Sequence, residues 1–246
     1  MIAPGIRIVE PFPALYLENE DAVVIADIHL GYEEAMARQG VYLPRLQYDK
    51  ISIIIKKLRE ATQASKLVIA GDIKHEFSRL LKQEKLEVAK LLHDAYRVGY
   101  KEVIVVRGNH DNFIGSLIEN LGGKFIEDLD TSTALITHGH KDVECSDKPV
   151  IMGHEHPALQ VSIGGAKTKF PVFLIVPLEE CGIAIILPAS GAYQVGNNIT
   201  LEQENYLSPI IRKRAVLEEA KPVIVDENEG LMPLPPLGDL RTVLAI

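Results

Sequence analysis

The chain carries only two cysteines, Cys145 and Cys181, in 246 residues. Two cysteines do not make a disulfide framework, so the expectation is a fold held by an apolar core in a reducing, cytoplasmic setting. Long apolar runs are also missing. The densest, ISIII, VFLIV and IAIIL, fall far short of the ~20 residues that span a bilayer, so no membrane association is expected. No basic-then-apolar leader pattern opens the chain, because prolines interrupt MIAPGIRIVEPFPALYL. There is no repeat with a period of roughly 20–50 residues and no low-complexity tract. Positive charge is in deficit, the net charge being −8. Such a chain is poorly suited to holding duplex nucleic acid by phosphate contacts alone, although a local positive site remains open to it.

What is present reads as a packed globular protein. The expected organisation is one domain over residues 1–207 and a C-terminal extension over 208–246. That extension holds IIRKRAV, an acidic DENEG and LPPLGDL, and is expected to pack on the domain or to dock a partner. In the first two-thirds, short apolar strands alternate with helices. AVVIA (22–26), KLVIAG (66–71) and EVIVV (102–106) read as buried strands. Between them, DKISIIIKKLRE (49–60) places Ile51, Ile54, Ile55 and Leu58 on one helical face. SRLLKQEKLEVAKLLHDAYRVG (78–99) reads as a second helix, with Ser78 as a cap and Gly99 as a stop. Apolar strands in this alternation argue for parallel pairing through crossover helices. From about residue 124, closely spaced pieces (KFIED, TALIT, PVIMG, ALQVSI, PVFLIVPL, GIAIILPA) suggest a second, mixed or antiparallel sheet.

Polar clusters punctuate these strands: Asp27-Ile28-His29, Gly71-Asp72-Ile73-Lys74-His75, Gly108-Asn109-His110-Asp111, His138-Gly139-His140 and Gly153-His154-Glu155-His156. Of the eight histidines, His93 alone lies outside them. Taken one at a time, D-x-H and G-D read as ordinary turns, H-G-H and G-H-x-H as polar bends, and only G-N-H-D, offering carbonyl and imidazole together, is more specific. Taken together they bring carboxylate, amide and imidazole to the ends of expected strands, with no thiolate. That combination favours metal binding over ordinary turns. A strand residue and its i+2 neighbour face the same way, so Asp27 and His29 can serve one ion if extended geometry persists beyond the strand. Whether His154 and His156 share an ion or serve two is open at this point.

DIH, GDIKH, GNHD, THGH and GHEHP, in this order, resemble the calcineurin-like metallophosphoesterase superfamily. GDIKH ends in histidine where many members carry aspartate, which is similar to the SbcD-type nuclease branch and its short archaeal and ligase-associated relatives. The resemblance implies a four-layer α/β/β/α sandwich of two facing mixed sheets. It implies two metal ions: one on Asp27, His29, Asp72 and His156, the other on Asp72, Asn109, His138 and His154, with Asp72 bridging. A hydroxide between the metals would attack phosphorus, and His110 would protonate the leaving group. Asp111 would hold the His110 tautomer, and His75 would contact a phosphate oxygen. Lys74, Arg107 and His140 are weaker candidates, more often solvated or outside the ligand set. Imidazole, carboxylate and amide donors suit Mn²⁺, Fe, Zn²⁺ or Co²⁺ better than Mg²⁺, with Mn²⁺ foremost by family habit.

The expected activity is therefore phosphodiester hydrolysis on nucleotides or single-stranded nucleic acid. With residues 157–246 following His156, a large DNA-capping domain is not expected. Hydrolysis of small phosphomonoesters is the alternative, and a metal-bound, non-catalytic interaction scaffold is a reading from another class. A protein partner in DNA repair or processing fits the branch resemblance; the residues do not indicate an oligomeric state.

Overall fold

The computed structural model describes residues 2–144, 146–163 and 166–244. Cys145 lies outside them, and with it the expectation about the two cysteines. The first layer is a six-stranded sheet whose spatial order follows the sequence: β1 (Ile6–Ile8), β2 (Leu15–Leu17), β3 (Ala22–Ile25), β4 (Lys66–Ala70), β5 (Glu102–Val106) and β6 (Lys124–Ile126). The first three pair antiparallel, whereas β3 through β6 pair parallel. Four helices accompany it: α1 (Tyr32–Arg38), α2 (Gln47–Thr62), α3 (Lys82–Arg97) and α4 (Gly115–Asn120).

A second, nine-stranded sheet holds β7 (Leu129–Asp130), β8 (Leu135–Ile136), β9 (Val150–Met152), β10 (Pro157–Ile163), β11 (Ala166–Leu178), β12 (Cys181–Ile186), β13 (Asn197–Asn198), β14 (Lys221–Asp226) and β15 (Gly230–Pro233). Its main path runs β13-β10-β11-β12-β9-β8-β7, with β14 on β11 and β15 on β14. It is mixed, since β8–β9 and β9–β12 are parallel while β11 pairs antiparallel with β10, β12 and β14. Two helices complete it, α5 (Pro209–Arg214) and α6 (Leu237–Leu244).

The layering follows from the two-residue period of strands. In β3, Val23 and Ile25 join Ile51, Ile55, Leu58 and Leu91 of the helices. Their neighbours Ala22 and Val24 face the other way, into a core shared with Ile151, Phe173 and Ile185 of the second sheet. On that sheet's far face, Val172, Leu174 and Val176 pack with Ile210, Ile211, Leu237 and Leu240. Helices, sheet, sheet, helices: the four-layer α/β/β/α sandwich is the fold. No helix among the described residues is long and apolar enough to cross a membrane.

Two local expectations need correction. KFIED does not enter the second sheet; β6 extends the first one beside β5, since a short apolar run carries no information about which sheet edge will receive it. The second long helix starts at Lys82, not near Ser78. Ser78 instead donates its hydroxyl to Glu76 at 2.6 Å, while Glu84 caps the helix by accepting from the Leu81 N–H at 2.7 Å. The IIRKR part of IIRKRAV lies in α5. Ile210 and Ile211 are buried, and Lys213 and Arg214 bond the Asp142 carboxylate at 2.8 and 2.7 Å.

Candidate metal centre

All five polar clusters leave the C-terminal ends of strands: Asp27 beyond β3, Asp72 beyond β4, Asn109 beyond β5, His138 beyond β8 and His154 beyond β9. Parallel strands end on one side of their sheet, so their exit loops meet there. The loops after β3 and β4 stay joined by their main chains, Asp27 N–H to the Gly71 carbonyl at 3.1 Å and His29 N–H to the Asp72 carbonyl at 2.9 Å.

Extended geometry does not persist beyond the strands. Asp27, His29, Asp72, His154 and His156 have φ of 55°, 52°, 51°, 68° and 46°. They are five of the nine described non-glycine residues with positive φ, a conformation costing on the order of 1–3 kcal/mol each unless the surroundings enforce it. Left-handed turns at alternate residues, rather than strand parity, therefore aim these side chains into the site. Packing there leaves no space for some neighbours to carry a side chain. A Cβ at Gly108 would strike the Asp72 carboxylate and main chain, and one at Gly153 would strike the Asp27 carboxylate.

The donor atoms fall into groups. Asp27, His29 and His156 form one, and Asp72, His138 and His154 another, with the donors within 4.8 Å of one another in each. Adjacent in sequence but for Glu155, His154 and His156 thus face different carboxylates. In the first group His156 Nε2 lies 3.3 Å from Asp27 Oδ1 and 3.3 Å from His29 Nε2. In the second, His138 Nε2 lies 3.3 Å from Asp72 Oδ2 and 3.1 Å from Asn109 Oδ1. Asp72 Oδ2 is also 3.9 Å from His29 Nε2, which places it between the groups. His138 Nδ1 is held 3.1 Å from the Ala70 carbonyl, leaving Nε2 to face the site.

Electrostatics favour a cation. Burial alone would raise Asp27 and Asp72, but the surrounding imidazoles, His156 and His138 for Asp27 and His138 and His29 for Asp72, hold both below the usual carboxylate range. Burial pushes His29 down to about 3 against the pull of Asp72. It takes His154 down to about 4, helped by the charge of His138. His138 moves the other way: burial opposes its charge, but Asp72 and Asp27 outweigh that and hold it at about 9. Ionised carboxylates and imidazole nitrogens converging at these distances suit divalent cations, whose binding would displace the protons that Asp72 and Asp27 favour on His138 and His156. The residues present fit such ions.

A third histidine group, His29, His75 and His110, adjoins the first two. His75 Nδ1 lies 3.4 Å from His29 Nδ1, and burial lowers His75 to about 4, with the neighbouring His110 charge adding to it. His110 Nε2 is 3.9 Å from Asp72 Oδ2. Its Nδ1 bonds the main-chain carbonyl of His75, so the expected pairing with Asp111 is replaced. Asp111 is buried and accepts from the Gly108 N–H at 2.8 Å and the Lys74 N–H at 3.3 Å. Burial and the nearby Asp72 charge raise it to about 6. The short Asp111 side chain turns back onto the main chain of two loops, at Gly108 and at Lys74.

The weaker candidates separate. Lys74 is fully buried and bonds the carbonyls of Glu76 and Arg79, with Glu84 at 4.0 Å, so it braces the loop. Arg107 pairs with Glu127 at 2.8 Å and reaches Asn112 at 3.2 Å. His140 sits beside His138, ring centroids 5.3 Å apart, with Nδ1 buried and unpartnered among the described residues. Tyr32 meets His75, Phe77 meets His110, and Tyr193 stacks on Tyr32. For Tyr32 the closeness to His29 in sequence was a usable sign; Tyr193 had none.

The calcineurin-like phosphoesterase family model matches residues 22–160, which span every cluster above. No curated protein matches the chain. Among solved structures, the fold is similar to Pseudomonas putida nuclease MPE, at 18% identity and a TM-score of 0.63, covering 90% of this chain and 92% of that one. YfcE, a phosphoesterase from E. coli, aligns at 17% identity over 83% of this chain and 87% of its own, with a TM-score of 0.40. Fold, cluster order and family match agree: this chain belongs to the calcineurin-like phosphoesterases.

Proposed function

We infer that the chain hydrolyses phosphodiesters at two divalent cations, Mn²⁺ foremost, held by Asp27, His29 and His156 on one side and by Asn109, His138 and His154 on the other, with Asp72 between them. The observation that carries this reading is the division of the donors into two carboxylate–imidazole groups that share no residue, with Asp72 facing histidines of both. Bound there, the two ions would supply positive charge for a phosphate and acidify water toward neutral pH.

The remaining work falls to the chain's own residues. With the Nδ1 of His110 committed to the His75 carbonyl, Nε2 is the nitrogen left to deliver a proton to the leaving oxygen, the general acid. His75 fixes His29 through the Nδ1 contact, and its Nε2 serves a non-bridging phosphate oxygen. Asp111 supports this from behind by tying Gly108 and Lys74. His75 in GDIKH supports the SbcD-type branch, and the acidic balance of −8 supports nucleotides or single strands over long duplex.

The test is hydrolysis by Mn²⁺-loaded protein of a bis-aryl phosphate against the mono-aryl ester. Faster turnover of the diester is the expected result. Preference for the monoester would move the reading to a phosphomonoesterase, and metal uptake without turnover of either ester or of oligonucleotides would leave a binding scaffold.

A further inference from the structure

Five rings edge the site in an unbroken succession of contacts. Tyr193 stacks on Tyr32 with centroids 5.3 Å apart and planes 16° apart, and Tyr32 meets His75 at 4.6 Å. His75 stacks on His110 at 5.6 Å and 23°, and Phe77 meets His110 edge-on at 6.0 Å. The two histidines occupy the middle, where the proposed roles put the phosphate and the departing oxygen. Aromatic groups with no part in metal binding or proton transfer occupy the two ends.

At the Phe77 end the rings are exposed rather than packed into the core. Phe77 is 56% exposed and Phe113, one residue past the Asn112 amide that bonds the Phe77 carbonyl, is 69% exposed. Phe113 is held at a φ of 67°, where a bulky residue is strained. At the other end, Tyr193 arrives on a loop fastened at several points. Ser190 N–H bonds the Ala26 carbonyl at 3.0 Å and Ala192 N–H the Gln47 side chain at 2.8 Å. Gln47 also bonds Gln194 at 2.8 Å, and the Tyr193 hydroxyl bonds the Pro44 carbonyl at 2.5 Å. The tyrosine is pre-positioned, so a ligand stacking there would spend little entropy in ordering it.

We propose that Tyr193 with Tyr32 on one side, and Phe77 on the other, stack the two nucleobases flanking the scissile phosphate, making a single-stranded segment of at least a dinucleotide the substrate. This rests on the phosphodiesterase reading above and names its substrate class. Phenyl and phenol faces offer a base a π-surface and almost no hydrogen-bonding pattern, so recognition tolerates any sequence. Bases in a duplex are already stacked on one another and are not free to be taken up by these rings. Discrimination against duplex then needs no separate device.

The test compares a single-stranded oligonucleotide with an abasic strand of equal length and charge as competitors of methyl 4-nitrophenyl phosphate hydrolysis by the Mn²⁺-loaded protein. The base-bearing strand is expected to compete at about tenfold lower concentration or better. Tyr193→Leu and Phe77→Leu each should bring that ratio toward one. Equal competition by the two strands, or a ratio untouched in both variants, overturns the proposal. Anisotropy of the labelled strands reads the same ratio without turnover. Failure of hydrolysis alone would therefore sink the phosphodiesterase reading, while base stacking is judged on its own.

Discussion

His29 and His156 stand 127 residues apart in sequence, yet their Nε2 atoms meet at 3.3 Å. The Asp27 carboxylate lies 3.3 Å from His156. Burial disfavours charge on both rings; it prevails at His29, whereas Asp27 outweighs it at His156. His154, two residues before His156, belongs to the other group with Asp72 and His138.

Removing one histidine should then remove one ion. His154→Ala and His156→Ala are each expected to lose a single step in a Mn²⁺ titration followed by calorimetry, and the double variant both. Loss of both steps from either single change would mean that the two groups do not bind separately.

Asp72 and His110 should fail in different ways. Asp72→Asn is expected to abolish both binding steps, because the carboxylate faces both groups. His110→Ala should keep its metal but lose about 10²–10⁴-fold in turnover. The loss should be smallest on nitrophenyl esters, whose leaving groups need no proton. Equal metal loss in the two variants, by elemental analysis, would refute these roles.

Gly108 lets the loop approach Asp72 closely. In Gly108→Ala the new methyl strikes that carboxylate and its main chain, so metal affinity should fall by an order of magnitude or more with far-UV circular dichroism unchanged, at a stability cost of about 1–3 kcal/mol. Undiminished affinity would show that the contact is relieved elsewhere.

Glu155 joins the loop after β9 to the C-terminal segment. Its buried carboxylate accepts from the Leu207 N–H at 3.0 Å and the Ser208 N–H at 2.5 Å. Glu155→Gln turns one acceptor into a donor and should cost about 1–3 kcal/mol, read from the urea midpoint. An unchanged midpoint would show that the segment is held by its apolar contacts alone.

A pH effect is expected away from the site. Asp21 is held below its ordinary value of 3.8, first by the hydrogen bond from the Ser65 side chain, against a smaller opposing effect of burial, and then by the Ser65 N–H that donates to it at 3.0 Å. A lowered carboxylate stabilises the fold fully above its unfolded value, and that stabilisation is lost as pH falls through the folded one. The urea midpoint of the wild type should therefore drop more steeply below pH 4 than that of Asp21→Asn. Parallel acid limbs would assign that loss to other groups.

Much of this was legible along the chain. The apolar runs at 22–26, 66–71 and 102–106 are strands, and Ile51, Ile54, Ile55 and Leu58 form a buried helical face. Composition and period suffice for that, because burial selects side chains by polarity and element geometry sets their spacing. Helix ends and strand partners were less legible. Ser78 resembles a cap, but Glu84 holds the helix start, and KFI carries nothing that tells one sheet edge from another.

The sequence by itself determined which residue types collect after which strands, and hence the family and the donor chemistry. The resemblance implied how those donors divide; the tertiary structure supplied the geometry that divides them, left-handed turns at Asp27, His29, Asp72, His154 and His156, which Asp and His tolerate better than most residues but which local sequence does not locate. The tertiary structure alone also turned His110 to a main-chain carbonyl instead of Asp111, and laid Tyr193 on Tyr32. Local pattern records what each residue prefers; contacts between distant loops arise from packing, and there the preferences of many residues are settled together.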